Sequence, residues 1–177
     1  MSEQYSQWGK QISKGVEVLR YRIDLNIPTD KERIQEFYRG VYENALLCCK
    51  NDLSRYADER YDLSSDPKKR YAYTPIRYRL EGKATFCDGD MMFIKLTAEL
   101  RRDGAAETVY DAHAWSLSEQ CLLPPKMAAR AFLGKGRLPR GLSKAGFLVE
   151  NGKPFICHAH RLIPIEPKIG RKKAHSE

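Results

Sequence analysis

Long apolar runs are missing from this 177-residue sequence. None of its hydrophobic stretches approaches the roughly 18 to 20 residues that a helix needs to cross a bilayer. The opening segment, MSEQYSQWGKQISKG, also lacks the apolar centre of a secretory signal peptide. We therefore expect a cytoplasmic protein that makes no contact with a membrane.

Paired cysteine motifs are missing as well. The five cysteines comprise the adjacent pair Cys48 and Cys49 and three isolated residues, and no two of them have the CxxC spacing of a zinc knuckle or a thioredoxin-type site. An odd number of scattered cysteines is typical of reduced thiols in a cytoplasmic protein. The sequence therefore predicts structural thiols, no metal site and no cofactor.

The common catalytic signatures are absent. The sequence contains no GxSxG, HExxH, GxGxxG or Walker A motif. The segment closest to a Walker A motif, from Gly136 to Ser143, has Leu142 where the phosphate-binding lysine would be. The most familiar hydrolases, metalloproteases and nucleotide-binding enzymes are thus disfavoured, and no residue is assigned a catalytic role.

Basic residues outnumber acidic ones and give a formal net charge of +8. Part of the excess lies in the C-terminal KIGRKK, and much of the rest occupies alternating positions of predicted strands. These strand residues are Arg20, Arg22, Arg77, Arg79, Lys83, Lys95 and Arg101. The pattern agrees with a solvated strand face and also with an anion-binding surface.

One long segment has strict helical periodicity. From Thr29 to about Tyr56, apolar residues recur every three or four positions and charged residues occupy the opposite side. Pro28 ends the preceding strand, and Thr29 with Glu32 fits a capping box. The segment predicts an amphipathic helix of roughly 40 Å whose apolar stripe must be covered by a sheet. The apolar positions are Ile34, Phe37, Tyr38, Val41, Tyr42, Ala45, Leu46, Cys49, Leu53 and Tyr56.

Alternating patterns predict the sheet. Residues 16–27 alternate apolar and polar side chains, which is typical of a strand with one buried face. Residues 75–117 alternate in three runs that are separated by Asp88-Gly89 and Asp103-Gly104. Because Asp-Gly between alternating runs is a strong hairpin signal, we predict a three-stranded antiparallel meander here.

The C-terminal third carries the remaining elements. Residues 124–133 predict a short helix, and a basic, glycine-rich loop leads to a hairpin around Asn151-Gly152. The order β-α-β-β-β-α-β-β predicts an α+β fold: a twisted antiparallel sheet with one long helix packed across one face. We expect a flexible N-terminal segment at 1–14, a single domain at 15–166 and a basic, disordered tail at 167–177.

The C-terminal half resembles a known family. Trp115, Ser116 and Leu117 lead into a short helix, a hairpin follows at 147–155, and the run His160-Arg161-Leu162-Ile163-Pro164 closes the pattern. With the early strand and long helix, this pattern is similar to the bacterial domain of unknown function found in lysozyme-sensing anti-sigma factors and in accessory regions of peptidoglycan deacetylases. The resemblance covers residues 16–165 and implies the same combination of helix, sheet and terminal hairpin.

Two segments are candidate ligand-binding sites. In the glycine-rich loop, glycine allows backbone amides to approach an oxyanion, and Arg137 and Arg140 supply guanidinium groups. A second cluster, of Tyr71, Tyr73 and Arg77, lies at the end of a long predicted connection and could stack bases or bind a groove of a partner protein.

The histidines suggest two further contacts. His158 and His160 lie two apart on a predicted strand and would therefore share a face, where they could bind a ligand. No third metal ligand is identifiable, so no metal is predicted. His113 alternates with Asp111 on another predicted strand, which makes an Asp–His contact an open alternative.

Three functions follow, in order of preference. The first is a non-enzymatic binding module for a protein or a small molecule, whose polar sheet face and tyrosine-rich connection contact the ligand. The second is binding of nucleic acid or another polyanion through the basic sheet face, the glycine-rich loop and the tail. The third is an unrecognised enzyme centred on His113 or His158. The oligomeric state is not predicted.

Overall fold

The structure is a computed structural model that describes residues 4–65, 73–134, 138–142 and 145–166. The α+β class is as predicted: a curled, mixed six-stranded sheet, a three-stranded sheet and one long helix. The elements are β1 (Gln4–Ser13), β2 (Val16–Asn26), α1 (Glu32–Cys48), a π-helical turn (Cys49–Leu53), α2 (Ser54–Ser64), β3 (Ile76–Asp88), β4 (Met91–Arg102), β5 (Ala105–Ser116), β6 (Cys121–Leu122), α3 (Pro125–Leu133), β7 (Gly146–Glu150), β8 (Lys153–His158) and β9 (Arg161–Pro164).

The large sheet has the strand order β1-β2-β3-β4-β5-β6. Within it, β2 and β3 pair parallel, with Leu19 opposite Ile76 and Asn26 opposite Lys83. The prediction of a purely antiparallel sheet is therefore wrong at this pair. The reason is that the long helix carries the chain from the end of the sheet where β2 finishes back to the end where β2 began, so β3 starts there and runs parallel to β2.

The meander that follows is confirmed, because β3, β4 and β5 pair antiparallel in sequence order. The turn at Asp103-Gly104 has positive φ at both residues, as does the turn at Asn151-Gly152 between β7 and β8. Two-residue turns with this geometry match the twist of the flanking strands. The first turn of the meander lies at Gly89 and Asp90, one residue later than predicted.

The N-terminal segment differs from the prediction. Instead of a flexible segment at 1–14, Gln4–Ser13 forms β1, which pairs antiparallel with β2 at the edge of the large sheet. The side chains of β1 that face the helix are mostly polar and hydrogen-bond with it. Gln7 accepts from the Tyr42 hydroxyl at 2.7 Å, and Gln11 donates to Asp58 at 2.6 Å. The sequence of β1 therefore lacks the alternation of apolar and polar residues from which a strand is predicted.

The long helix begins and ends later than predicted. It starts at Glu32 and continues to Ser64, so the connection to β3 begins about eight residues after the predicted position. Lys31 occupies the cap position without a side-chain cap, and the predicted capping box is absent; the Thr29 hydroxyl instead accepts from the Lys31 amide at 3.1 Å.

A π-helical turn interrupts the helix and keeps its apolar stripe on the sheet. Cys49 and Ala57 are eight residues apart, and residues at this spacing point in different directions in a regular α-helix. Both are nevertheless fully buried against the large sheet. The extra residue of the π turn restores their alignment. The Ser54 hydroxyl donates to the Cys49 carbonyl at 3.1 Å and satisfies an acceptor within this irregular turn.

The large sheet has a hydrophobic core on each face. The helix covers one face along β2, β3, β4 and β5, where Tyr38, Ile23 and Ile94 are fully buried. The small sheet and α3 cover the opposite face only at one end, where Phe93 of β4 meets Phe147 of β7. No other element of the described chain covers the rest of this second face, on β1, β2 and the adjoining parts of β3 and β4.

Within the described residues, no helix combines the length and the apolar character that a membrane span would need.

Candidate binding face

Seven exposed aromatic and basic side chains lie on the uncovered part of the large sheet, which we call the open face. Strand alternation brings them to one side, because residues two apart on a strand point in the same direction. The open face comprises Trp8, Lys10, Arg20, Arg22, Arg77, Arg79 and Arg101.

The register of four strands aligns four of these cations in one row. Lys10 lies opposite Arg20, Arg20 opposite Arg77, and Arg77 opposite Arg101. Since neighbouring strands lie 4.7 to 4.9 Å apart, the row extends about 14 Å across the sheet. Two antiparallel pairings and one parallel pairing produce the row, so it is not visible in the sequence.

Carboxylates pair with most of the arginines but lie closer to the sheet. Arg20 contacts Glu17 at 2.8 Å, and Arg79 contacts Glu81 at 2.9 Å. Arg22 and Arg101 form the corresponding pairs Arg22–Asp24 and Arg101–Glu99. The four arginine side chains are 53–64% exposed, whereas their partners are 19–39% exposed. Such exposed pairs contribute little to stability, and they leave guanidinium groups as the outermost layer of the open face.

Two cations of the row have no carboxylate partner among the described residues: Lys10 and Arg77. Their charges nevertheless act on Glu17. The hydrogen bond from Arg20 is the main cause that lowers the pKa of Glu17, and the charges of Arg20, Lys10 and Arg77 lower it further. Positive charge is therefore in excess around this part of the row.

Apolar side chains adjoin the row on β1. Trp8 is 70% exposed and Ile12 50%. Trp8 lies directly opposite Arg22 in the strand pairing. The open face thus offers both cations and uncovered apolar area, a combination suited to a partner that carries both carboxylates and apolar residues.

A shallow hollow lies on the open face. It has a volume of about 220 Å³ and is lined by Arg77, Tyr78, Arg79, Glu99 and Arg101. Sites for small organic ligands usually enclose about 300–1,000 Å³. A second hollow, of about 400 Å³, lies near the start of α1 and includes Cys87, whose thiol pKa is raised by burial. That thiol is not activated as a nucleophile.

The predicted contact between Asp111 and His113 is present and extends into the core. His113 Nε2 lies 3.1 Å from Asp111 Oδ2, and His113 Nδ1 lies 2.8 Å from the Tyr38 hydroxyl. Trp115 Nε1 donates to the same hydroxyl at 3.0 Å. Sequence reasoning missed Tyr38 as a polar partner because its spacing marked it only as a core residue of the helix.

The donors of this network fix its protons. Trp115 can only donate, so the Tyr38 oxygen accepts from it and the Tyr38 hydroxyl donates to Nδ1 of His113. His113 then carries its proton on Nε2, towards Asp111. This hydrogen bond lowers the pKa of Asp111, and burial raises the pKa of Tyr38. Tyr38 is completely buried and His113 is 13% exposed, so the network joins α1 to β5, and its Asp111 carboxylate, at 66% exposure, is open to solvent.

Tyr73 and Arg140, two other predicted site residues, lie apart from the open face. The Tyr73 hydroxyl donates to the Val18 carbonyl at 2.7 Å, and burial raises its pKa, so this side chain anchors the chain beside β2. Arg140 is exposed in the turn at 138–142. Tyr71 and Arg137 lie outside the described residues. Of the predicted site residues that the structure describes, only Arg77 lies on the open face.

His158 and His160 do not share a strand face, so that prediction is wrong. Strand β8 ends at His158, and His160 lies in the following turn, where its Nδ1 is 3.3 Å from the Thr108 carbonyl. The turn is required because β9 returns antiparallel, with His158 opposite Arg161. The described residues contain no group of three or more potential metal ligands.

Comparison with known proteins gives structural similarities only. No protein-family model matches the sequence, and no curated protein matches it. A DUF3298 family protein from Pseudomonas aeruginosa PAO1 is similar over 71% of this chain and 56% of its own, with 17% identity and a TM-score of 0.43. A member of the same family from Bacteroides fragilis is similar over 70% of this chain and 58% of its own, with 10% identity and a TM-score of 0.49.

The chain therefore spans less than two thirds of either structure. The anti-sigma-factor and deacetylase settings suggested by the sequence resemblance stay predictions. What the comparisons provide is a likeness to members of a family of unknown function.

Proposed function

We propose that this protein is a non-enzymatic binding module whose open face docks an acidic protein partner. The observation that supports the proposal most directly is the layering of charge: four arginines are more exposed than the carboxylates with which they pair. Complementary charge steers such a partner and fixes its register. Trp8, at 70% exposure, supplies an aromatic anchor of the kind enriched in protein interfaces.

A protein fits this face better than a small molecule does. The hollow on the open face is shallow and small, while the basic row alone extends about 14 Å across four strands. An enzymatic role receives less support, because Tyr38 is sealed in the core and burial raises the pKa of both Cys49 and Cys157.

Nucleic-acid binding is the second candidate, and the row of Lys10, Arg20, Arg77 and Arg101 favours it. Four residues further along these strands, however, Asp24 lies opposite Glu81. These carboxylates would repel a phosphate backbone that crossed the face. A protein surface of mixed charge can avoid that repulsion, so the acidic protein is preferred.

Site-specific photo-crosslinking tests the proposal. A photoreactive amino acid replaces Arg79 on the open face in one variant and Lys153, an exposed residue of β8, in a control variant. Irradiation in cells should give a discrete protein adduct for the Arg79 variant that is absent for the Lys153 variant. Mass spectrometry should identify an adduct rich in Asp and Glu at the crosslinked site.

Two results would count against the proposal. Nucleic acid in the Arg79 adduct would favour the second candidate, whereas equal adducts from both positions would mean that the open face has no special role. Charge reversal by Arg77→Glu and Arg101→Glu should also abolish the adduct. The control, Lys153→Glu with Arg161→Glu, makes the same change in net charge on the small sheet and should leave the adduct intact.

A further inference from the structure

The outer edge of β1 is open for pairing. β1 is ten residues long and forms one end of the large sheet, and among the described residues it pairs only with β2. An edge strand of this length presents a row of unpaired backbone N–H and C=O groups, which can bind another extended chain.

The inner side of β1 is held firmly in place. Tyr5 stacks on Tyr42 with ring centroids 5.4 Å apart, and the Tyr42 hydroxyl donates to Gln7 at 2.7 Å. Further along the strand, Gln11 donates to Asp58 on α2 at 2.6 Å. Because the helix fixes β1 at several points, an added strand would meet a backbone that is already extended, with less ordering entropy to lose on binding.

The outward side chains of β1 define what kind of strand would fit. Trp8, Lys10 and Ile12 alternate along the exposed side, so one cation lies between two apolar groups. Arg20 and Arg22, on the next strand, lie opposite Lys10 and Trp8 and extend the positive charge. Pairing with a second copy of the chain would bring two such basic surfaces together, which like-charge repulsion opposes.

We propose that β1 receives an extended acidic segment of the partner protein as an additional strand of the sheet. This inference rests on the proposed function and specifies how the partner binds. Side chains on one face of a strand recur every second residue, so the segment would place a carboxylate beside Lys10 and apolar residues beside Trp8 and Ile12. Its backbone would complete the hydrogen bonds that β1 leaves open.

A synthetic peptide tests this inference. The probe is a ten-residue peptide in which threonine occupies every second position. The positions between the threonines share one face of an extended strand and include leucine, glutamate and leucine, in that order. Fluorescence anisotropy measures its binding to the full chain. Replacing the glutamate by lysine should abolish binding, and Lys10→Glu in the protein should restore binding of the lysine peptide; Lys153→Glu, the matched control, should not.

Backbone methylation of the peptide separates strand pairing from simple charge attraction. Only every second N–H of an added strand points towards its neighbour. N-methylation at alternate positions should therefore weaken binding by about tenfold, while methylation at the intervening positions should have little effect.

Three results would overturn the inference: no binding of the peptide, equal effects of methylation at every position, or a dimer of the protein that Trp8→Lys dissociates, which would assign the edge to a second copy. If methylation has no alternating effect but the Arg79 crosslink is still formed, the edge-strand inference fails and the proposed function stands. If the Arg79 crosslink is not formed but the peptide binds and shows the alternating effect of methylation, β1 accepts an added strand and the proposed docking on the open face fails.

Discussion

Trp115 Nε1 donates a 3.0 Å hydrogen bond to the hydroxyl of Tyr38, a side chain that is completely buried between the helix and the large sheet. We expect Tyr38→Phe to destabilise the protein, because it leaves the Trp115 N–H and His113 Nδ1 without their partner. An unsatisfied buried polar group costs about 1–3 kcal/mol. Urea denaturation of the variant and the wild type measures the difference.

Tyr42→Phe is the matched control, since the Tyr42 hydroxyl bonds to Gln7 in a partly exposed position at the sheet edge. Tyr42→Phe should lower the free energy of unfolding by less than Tyr38→Phe does. Equal losses for the two variants would mean that the network around Tyr38 is no more important than an edge contact. A double-mutant cycle with Trp115→Phe should show a smaller effect of Tyr38→Phe once the indole donor is absent.

This network also shows which contacts the sequence could reveal. The contact of Asp111 with His113 was predictable, because residues two apart on a strand share a face. Tyr38 lies on a different element, 75 residues from His113, and helical spacing indicated only that it was buried. Periodicity identifies which side of an element is buried, but it carries no information on which polar atoms of two elements meet.

Gly82 is expected to resist substitution. It lies between Leu25 and Leu96 in the strand register, and a Cβ at this position would come within 2.7 Å of a methyl group of each. Both leucines are buried and have no space in which to move. Gly82→Ala should therefore cost about 1–3 kcal/mol in the free energy of unfolding.

Gly40→Ala is the control with the opposite expected sign. Gly40 lies in the middle of α1, and a Cβ there would have no atom within 4 Å. Alanine has the higher helix propensity, so this variant should gain up to about 1 kcal/mol. If Gly82→Ala were equally stabilising in denaturant melts, the close packing across β2, β3 and β4 would be incorrect.

Alkaline pH should destabilise the protein through its buried tyrosines. Burial is the main cause that raises the pKa of Tyr78 to about 12, and burial also raises the pKa of Tyr38. In the unfolded chain both phenols ionise near pH 10. Below about pH 10 both states keep these protons and the contribution is constant; as pH rises from about 10 towards 12 the unfolded state loses them first, and stability falls.

The free energy of unfolding at several pH values between about 8 and 11 measures this effect. Tyr78→Phe should make the decline shallower, since it removes one of the ionising groups. An identical decline in the variant would show that Tyr78 is not protected in the folded state. Tyrosinate absorbance should increase cooperatively with unfolding for these residues, rather than gradually.

Four of the five cysteines should divide into two groups by accessibility, and Cys121 is intermediate. Cys48 and Cys87 are exposed, whereas Cys49 and Cys157 are buried, with thiol pKa values raised by burial to about 12 and about 11. A maleimide should label the exposed pair rapidly and the buried pair only on unfolding. Mass spectrometry after timed labelling resolves the sites. Labelling of Cys49 as fast as that of Cys48 would indicate that the π-helical turn opens readily.

The open face could be predicted only in part. Alternation placed Arg77 and Arg79 on one side of a strand correctly, because the period of a strand is local. The row that joins Lys10 to Arg101 depends on the register of four strands and on β1, whose helix-facing side is polar and so gave no hydrophobic signal. Register across a sheet is set by tertiary packing, which a single sequence does not display.

The parallel pairing of β2 with β3 also bears on how the chain folds. The β1–β2 hairpin and the β3–β4–β5 meander each bring together residues that are close in sequence, and each can begin to form independently. Leu19 can meet Ile76 only after the whole helix between them has been accommodated, so the pairing of β2 with β3 is the step at which the largest loop between neighbouring strands must close. The slowest stage of folding should accordingly be the pairing of β2 with β3, which joins the two locally formed units. The helix connects these units covalently until they pair.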